Sequence, residues 1–378
     1  MADPVYLDYA ATTPVRPEVV DAMLPVLRGH WGNPSSIHRF GRLARAALDD
    51  ARARLAAVIG ASAPEIVFTR AGTEADNLAL LGRARVASGG IAVSAVEHKA
   101  VLTTAKLIAK EGARLTLIPV DPAGRVRMDE VRRIVEEERP AMVSVMWASN
   151  EIGVLQPVGE IAAICHDAGV TFHSDAVQAL GKVPVRVDRV AADLVAFSAH
   201  KLGGPKGIGA LFVRRGTQVA PLIHGGGQER GLRPGTEDVA GAVAFAVAAE
   251  LADAEREQTM RRLVGLRDRL EAGLRERVPG LLVNGADADR LPTISNVSIP
   301  GADSEMLLAA MDLEGIAVSS GSACSSGAVE PSHVLTAMGL PPETAGPSVR
   351  FSLWRDSTDA DVDRVLEVFP RVIERVRT

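Results

Sequence analysis

Short apolar runs alternate with amphipathic stretches along the first two thirds of the chain. The runs at 66–69, 91–96, 115–119, 142–147, 170–173 and 194–197 are brief and mostly apolar, as in strands buried on both faces. Between 43 and 59 the pattern changes to Leu43, Ala47, Leu48, Ala51, Leu55, Val58 and Ile59 with charged residues between them, one apolar stripe of a helix. The same spacing predicts helices over 17–27, 75–87, 101–110, 128–138 and 161–168, and 209–213 reads as a further strand. Strand–helix units repeated at this size build an α/β fold, a mostly parallel central sheet sandwiched by helices.

Beyond residue 238 the pattern differs. Residues 239–277 predict one or two long helices, apolar first and heavily charged later, bridging two domains. Short strands at 293–299, 316–319 and 349–353 with helices at 304–311 and 359–376 predict a smaller α+β C-terminal domain. The expected division is a large domain over 14–255 and a small one over 1–13 and 256–378.

With 378 residues, 47% of them hydrophobic, the chain can bury a large core. A net charge of −5 with the two signs well mixed, and only 3% aromatic residues, argues against a nucleic-acid groove. The most apolar helical stretch, 239–249, is far shorter than the roughly 20 residues that span a bilayer. Met1-Ala2-Asp3-Pro4 lacks a secretory pattern, and two cysteines without one imply free thiols in a reducing compartment. The expectation is a cytoplasmic protein with neither a membrane nor a direct nucleic-acid partner.

Ligands of such sheets bind beyond the carboxyl ends of the strands. Thr73, His98, Asn150, Asp175, Gln178, Ser198, His200 and Lys201 all fall just past predicted strand ends. Lys201, at the mouth of a buried strand, is poorly hydrated, so its amine is favoured and can form a Schiff base. Gly72-Thr73 opens a helix and exposes backbone N–H groups beside its positive end, a site for phosphate, although taken alone Thr73 reads more readily as an ordinary N-cap. Asp175 can keep a ring nitrogen protonated, and the His98 imidazole can stack on a ring. Singly, Asp175 reads as a cap or surface ion pair and His98 as a core histidine. The four together meet the requirements of pyridoxal 5'-phosphate.

Fold and cofactor do not fix a reaction. The segment Ser319-Ser320-Gly321-Ser322-Ala323-Cys324-Ser325-Ser326-Gly327-Ala328 is small, polar and glycine-rich, and reads as a loop presenting one thiol. Cys165, inside an apolar helix, reads as an inert buried cysteine.

Ser198-Ala199-His200-Lys201 followed by Gly204-Pro205-Lys206-Gly207, with Glu97-His98-Lys99-Ala100-Val101 and Ser149-Asn150-Glu151-Ile152-Gly153, closely resembles the cysteine desulfurases of the NifS/IscS group. These belong to the aminotransferase class V set of fold type I pyridoxal-phosphate transferases. Tyr6-Leu7-Asp8-Tyr9-Ala10-Ala11-Thr12-Thr13-Pro14, Asn33-Pro34-Ser35-Ser36-Ile37-His38 and His224-Gly225-Gly226-Gly227-Gln228-Glu229-Arg230-Gly231 extend the likeness over essentially the whole chain.

The resemblance implies that Lys201 anchors the cofactor, Asp175 pairs with its ring nitrogen, His98 stacks on the ring and takes part in proton transfer, and Gln178 meets the ring hydroxyl. It implies phosphate contacts from Gly72, Thr73, Ser198 and His200, and from Thr236 to the phosphate of the other subunit of a homodimer. Lys206 is the lesser candidate for the anchor. Arg350, with Asn150 and Asn33, would bind the substrate, L-cysteine. Ser-Ser-Gly-Ser-Ala-Cys resembles the group I signature rather than the Arg-x-Gly-His-His-Cys of group II. Cys324 would then take the sulfur as a persulfide, leave L-alanine, and hand the sulfur to an acceptor protein for iron–sulfur cluster assembly or for tRNA or cofactor thiolation.

Three features depart from the family pattern: Arg70 in place of serine, Trp354-Arg355-Asp356 in place of a glycine-containing stretch, and a chain that stops at Thr378 without the longer tail of some relatives. The alternatives are a selenocysteine lyase or another enzyme of the same family, such as a transaminase, which would not need Cys324. A non-catalytic binding protein would not need Lys201, Asp175 and Cys324 together. Cys165, His166 and His173 match no usual zinc spacing, so no metal is expected, and no G-x-G-x-x-G joins a strand to a helix.

Overall fold

The computed structural model describes residues 4–320 and 331–377. After a two-residue β1 (Val5–Tyr6), the strands are β2 (Ile66–Thr69), β3 (Ile91–Ser94), β4 (Leu115–Ile118), β5 (Met142–Ser144), β6 (Thr171–Asp175), β7 (Leu194–Ser198) and β8 (Gly209–Val213). All but β1 form one sheet in the order β2-β8-β7-β6-β5-β3-β4. β8 pairs antiparallel with both β2 and β7, and every other pairing is parallel.

Every residue of β6 and β7 is buried, because helices cover both faces. These are α1 (Pro17–Gly29), α2 (Arg39–Ile59), α3 (Gly72–Ala84), α4 (Lys99–Lys110), α5 (Met128–Arg133) and α6 (Val158–Asp167). The two-residue period of a strand divides β7 between them. Leu194 and Ala196 pack with residues of α3 and α4, while Val195 and Phe197 face the core that holds α2 and α6.

The long segment is a single helix, α7 (Val239–Arg277). Its first half, Ala242 to Ala252, joins the core behind the large sheet, and Leu263, Leu266, Leu270 and Leu274 join a second core. That core gathers β9 (Leu282–Val283), β10 (Ile294–Ser298), α8 (Ser304–Leu313), β11 (Ile316–Ala317), β12 (Ser348–Ser352) and α11 (Asp359–Val376) around it. The short α9 (His333–Ala337) and α10 (Pro342–Ala345) instead give Val334, Leu335 and Ala345 to the first core. β12, β10 and β9 form an antiparallel sheet, and β1 pairs with β11, which ties the N-terminal segment to this layer.

Several boundaries differ from those expected. α3 opens at Gly72 with Ala71 as its N-cap (φ −166°, ψ 170°), so Thr73 lies inside the first turn and is not the cap. α4 opens at Lys99, capped by His98. β6 runs on to Asp175, and α2 starts four residues earlier than its apolar stripe. β9, α9 and α10 are too short to show a period and were not expected.

Candidate active site

Two glycines let three segments meet. A Cβ on Gly209 would lie 2.6 Å from the Ala71 carbonyl carbon and 2.7 Å from the Phe197 oxygen, so only glycine lets β8 pass beneath the start of α3. A Cβ on Gly72 would lie 2.6 Å from Val177 Cγ2 and 3.5 Å from Ser198 Cβ. The N-terminus of α3 therefore sits directly against the ends of β6 and β7, at the rim of a cavity of about 360 Å³. Gly72, Thr73, His98, Asn150, Asp175, Gln178, Ser198, His200, Lys201 and Arg350 all line it.

Lys201 ends the turn that continues β7, and its Nζ donates to the carbonyls of Ala10 (2.6 Å) and Ala11 (2.8 Å). Burial lowers its pKa to about 8, with the like charge of Arg350 adding to the fall and Asp175 and Asp8 opposing it. An amine in that range is a usable base and nucleophile near neutral pH. Asp175, at the end of β6, is buried and accepts a 2.8 Å hydrogen bond from Val177 N. Burial raises its pKa, against the attraction of His98, the bond from Val177 and the attraction of Lys201.

His98 Nδ1 accepts from Ala100 N at 3.1 Å, so the proton of the neutral ring sits on Nε2. The ring is open to the cavity but ringed by protein atoms, and this desolvation is the main cause of its lowered pKa. The N–H groups of Gly72, Thr73 and Glu74 have no acceptor within α3. Beside them, Ser198 Oγ is buried without a partner, and burial lowers the pKa of His200 to about 4. An orphaned hydroxyl, free helix N–H groups, a perturbed lysine and a buried carboxylate on one cavity fit a phosphorylated pyridine aldehyde.

Arg350, buried on β12, donates from Nη1 to Asn150 O and from Nη2 to Asp8 Oδ1, both at 2.8 Å, and its Nε has no partner. Gln178 donates to Ala10 O at 2.9 Å and accepts from Lys182 Nζ at 2.7 Å.

Asn33 and Thr236 do not line this cavity; both are exposed, and the Asn33 side chain accepts from Ser35 N. Cys324 lies outside the described residues, but Ser319 and His333, on either side of its segment, both line the cavity. Cys165 is buried in α6, its thiol pushed up to about 12 by burial. His166 is exposed and His173 is buried on β6. The sequence reading missed Asp76, one turn after Gly72 on the same face of α3, which has a carboxylate oxygen within 4.8 Å of a His98 ring nitrogen and of an Asp175 carboxylate oxygen. It also missed His333 and the Ala10 carbonyl, which carry no distinguishing sequence signal.

Fold and cavity together define a fold type I pyridoxal-phosphate enzyme. The aminotransferase class-V family matches residues 5–365. A cysteine desulfurase IscS of Dictyoglomus turgidum is 45% identical over 99% of this chain and 95% of its own, and a cysteine desulfurase of Gluconacetobacter diazotrophicus is 48% identical over 99% and 94%. Among solved structures, a NifS-like protein superposes with a TM-score of 0.92 at 36% identity, covering 99% of this chain and all of that one. SspA in complex with cysteine superposes with a TM-score of 0.81 at 32% identity, covering 94% of this chain and all of that one. The chain belongs to the aminotransferase class V family and, within it, to the pyridoxal-phosphate-dependent cysteine desulfurases.

Proposed function

We propose that the protein converts L-cysteine to L-alanine and carries the sulfur as a persulfide on Cys324. The observation that supports this most directly is that Ser319 and His333 border the cavity that holds Lys201 and Asp175. Cys324 is five positions on from Ser319, a span of at most about 18 Å, so a thiol at that position can reach the cavity.

Pyridoxal phosphate bound there supplies the electron sink that makes the substrate's Cα proton removable. Asp175 carries the negative charge at the ring nitrogen, and Gly72, Thr73, Ser198 and His200 hold the phosphate. Arg350, kept in place by Asp8 and Asn150, holds the substrate carboxylate. Lys201 moves the Cα proton, and His98, with its proton on Nε2, assists transfer at the sulfur. The thiolate of Cys324 forms a bond to the substrate sulfur as the C–S bond breaks. The carbon keeps the electron pair, takes protons and leaves as alanine.

In the same reading the protein is a cytoplasmic homodimer that passes its sulfur to an acceptor protein, and residues 14–255 hold the cofactor while the remainder carries Cys324. Asn33 and Thr236, outside their own chain's cavity, reach a cavity only across the dimer. An exposed apolar face supports this, since Trp31 (66% exposed) and Phe40 (47%) stack 4.8 Å apart beside Ile37 (91%). No described helix is long and apolar enough to cross a membrane.

The test is to incubate the protein with L-cysteine and examine Cys324 by intact and peptide mass spectrometry while assaying alanine. One added sulfur on Cys324 with alanine formed is expected; alanine with no sulfur on any cysteine would refute the reading.

A further inference from the structure

Lys182 is a buried cation that makes no ion pair among the described residues. It is 5% exposed, and its Nζ donates to Gln178 Oε1 at 2.7 Å and lies 5.5 Å from the centre of the Trp354 ring. Taking an ammonium out of water without a carboxylate costs stability, and an apolar side chain would pack there at lower cost. Burial lowers its pKa to about 7, with the like charges of Lys201 and Arg350 adding to the effect. Its presence therefore calls for an explanation other than stability.

Gln178 supplies one. An amide can turn either end toward a neighbour, whereas an ammonium has three donors and no acceptor. As an ammonium, Lys182 donates to the oxygen end alone, so in its charged form it turns the Gln178 nitrogen the other way, where it donates to Ala10 O at 2.9 Å. The same carbonyl receives Lys201 Nζ at 2.6 Å. A chain of donors thus runs from Lys182 through Gln178 to the oxygen that also holds Lys201. Trp354 accounts for its own place in the sequence here: it is 5% exposed, and its indole face covers the ammonium with a weak acceptor that does not compete for the proton.

We propose that Lys182 is a positioning residue of the active site, holding the Gln178 amide so that its N–H₂ group is presented at the cavity beside Lys201. This rests on the reading above, in which pyridoxal phosphate occupies that cavity. A donor at this point favours the ionised form of any oxygen acid on the bound cofactor, and an amide turned round would disfavour it.

The experiment is a double-mutant cycle on cofactor-loaded protein with Lys182→Met, Gln178→Ala and the double variant, titrating the visible absorbance with pH. Lys182→Met is expected to raise the midpoint by about half a pH unit or more with Gln178 present, and to lose most of that effect in the Gln178→Ala background. Thermal stability is expected to hold, since the variant removes a buried cation. If Lys182→Met fails to fold, Lys182→Gln, which can meet either end of the amide, is expected to shift the midpoint in the same direction. An unchanged midpoint would overturn the inference, and so would an equal shift in both backgrounds, which would mean that Lys182 acts through its charge alone. Failure of the unaltered chain to take up pyridoxal phosphate would instead overturn the proposed function on which the inference stands.

Discussion

Arg350 is gripped by Asp8. The 2.8 Å ion pair runs from β12 to the N-terminal segment, and a bridge between Asp8 and Ser352 fixes the register of the two. With Nη1 committed to Asn150 O, the guanidinium is pinned from two sides and keeps an unpartnered Nε. A lysine would keep the charge but could not make both bonds and still offer a planar edge to a carboxylate. Arg350→Lys should therefore raise KM for cysteine by about 10- to 100-fold, the equivalent of about 1.5–3 kcal/mol for hydrogen bonds to a charged group, with a smaller change in kcat. Alanine formation measured against cysteine concentration decides this, and an unchanged KM would remove Arg350 from substrate binding.

The two cysteines should separate cleanly. Cys165, with its thiol pushed to about 12 by burial, has almost no thiolate at neutral pH. Cys324→Ala should abolish sulfide release and persulfide formation while leaving cofactor absorbance intact, and Cys165→Ala should leave both unchanged. Sulfide release that survives Cys324→Ala would favour a lyase reading instead.

Glu97 gives a signed pH effect. It is fully buried, accepting from Ser94 Oγ and Met146 N through one oxygen, and burial pushes its pKa to about 8 from 4.5. The fold keeps a proton on Glu97 that the unfolded chain releases above 4.5. The stabilisation is thus whole below 4.5 and is lost as the pH rises through 8, each unit being worth about 1.4 kcal/mol. Glu97→Gln, which copies the neutral acid, should match the parent in urea unfolding at pH 5 and exceed it at pH 8. An equal difference at both pH values would show that Glu97 titrates as an ordinary carboxyl.

The large sheet was legible because its strands are buried on both faces and so read as unbroken apolar runs. That pattern also marks where each run stops, which is why Asp175 and Lys201 stood out at strand ends. Contacts between distant parts of the chain were not legible. The Ala10 carbonyl that holds Lys201 lies 191 residues away and is a backbone atom with no sequence signature. Thr73 was expected to cap α3 from its side-chain chemistry, but Gly72 packs beneath Val177 and draws the helix start back to Ala71. Lys182 carries no signal of its burial either, because nothing in its immediate sequence shows that Trp354 and Gln178 enclose it.

Asp76 and His173 form a second pair hidden beneath the cavity. Both are fully buried, and Asp76 Oδ1 faces His173 Nε2 at 3.5 Å, long for a hydrogen bond, with neither atom bonded elsewhere. Burial lowers the pKa of His173 to about 3, and burial, then Asp175 and Glu97, raise that of Asp76 well above the carboxylate range. Both shifts favour the neutral forms, in which Asp76 and His173 share one proton between Oδ1 and Nε2, and Ser144 Oγ completes the chain at 2.8 Å from His173 Nδ1. A neutral Asp76 leaves Asp175 as the carboxylate that serves the cofactor's ring nitrogen. Asparagine can stand in for a neutral acid here, so Asp76→Asn should stay within about 1 kcal/mol of the parent and keep its affinity for pyridoxal phosphate. Asp76→Ala leaves the imidazole unpaired and should cost about 1–3 kcal/mol. Urea unfolding of the apoprotein and a fluorescence titration with the cofactor measure the two quantities. If Asp76→Asn lost as much as Asp76→Ala in both, Asp76 would have to be ionised and the neutral pair would not exist.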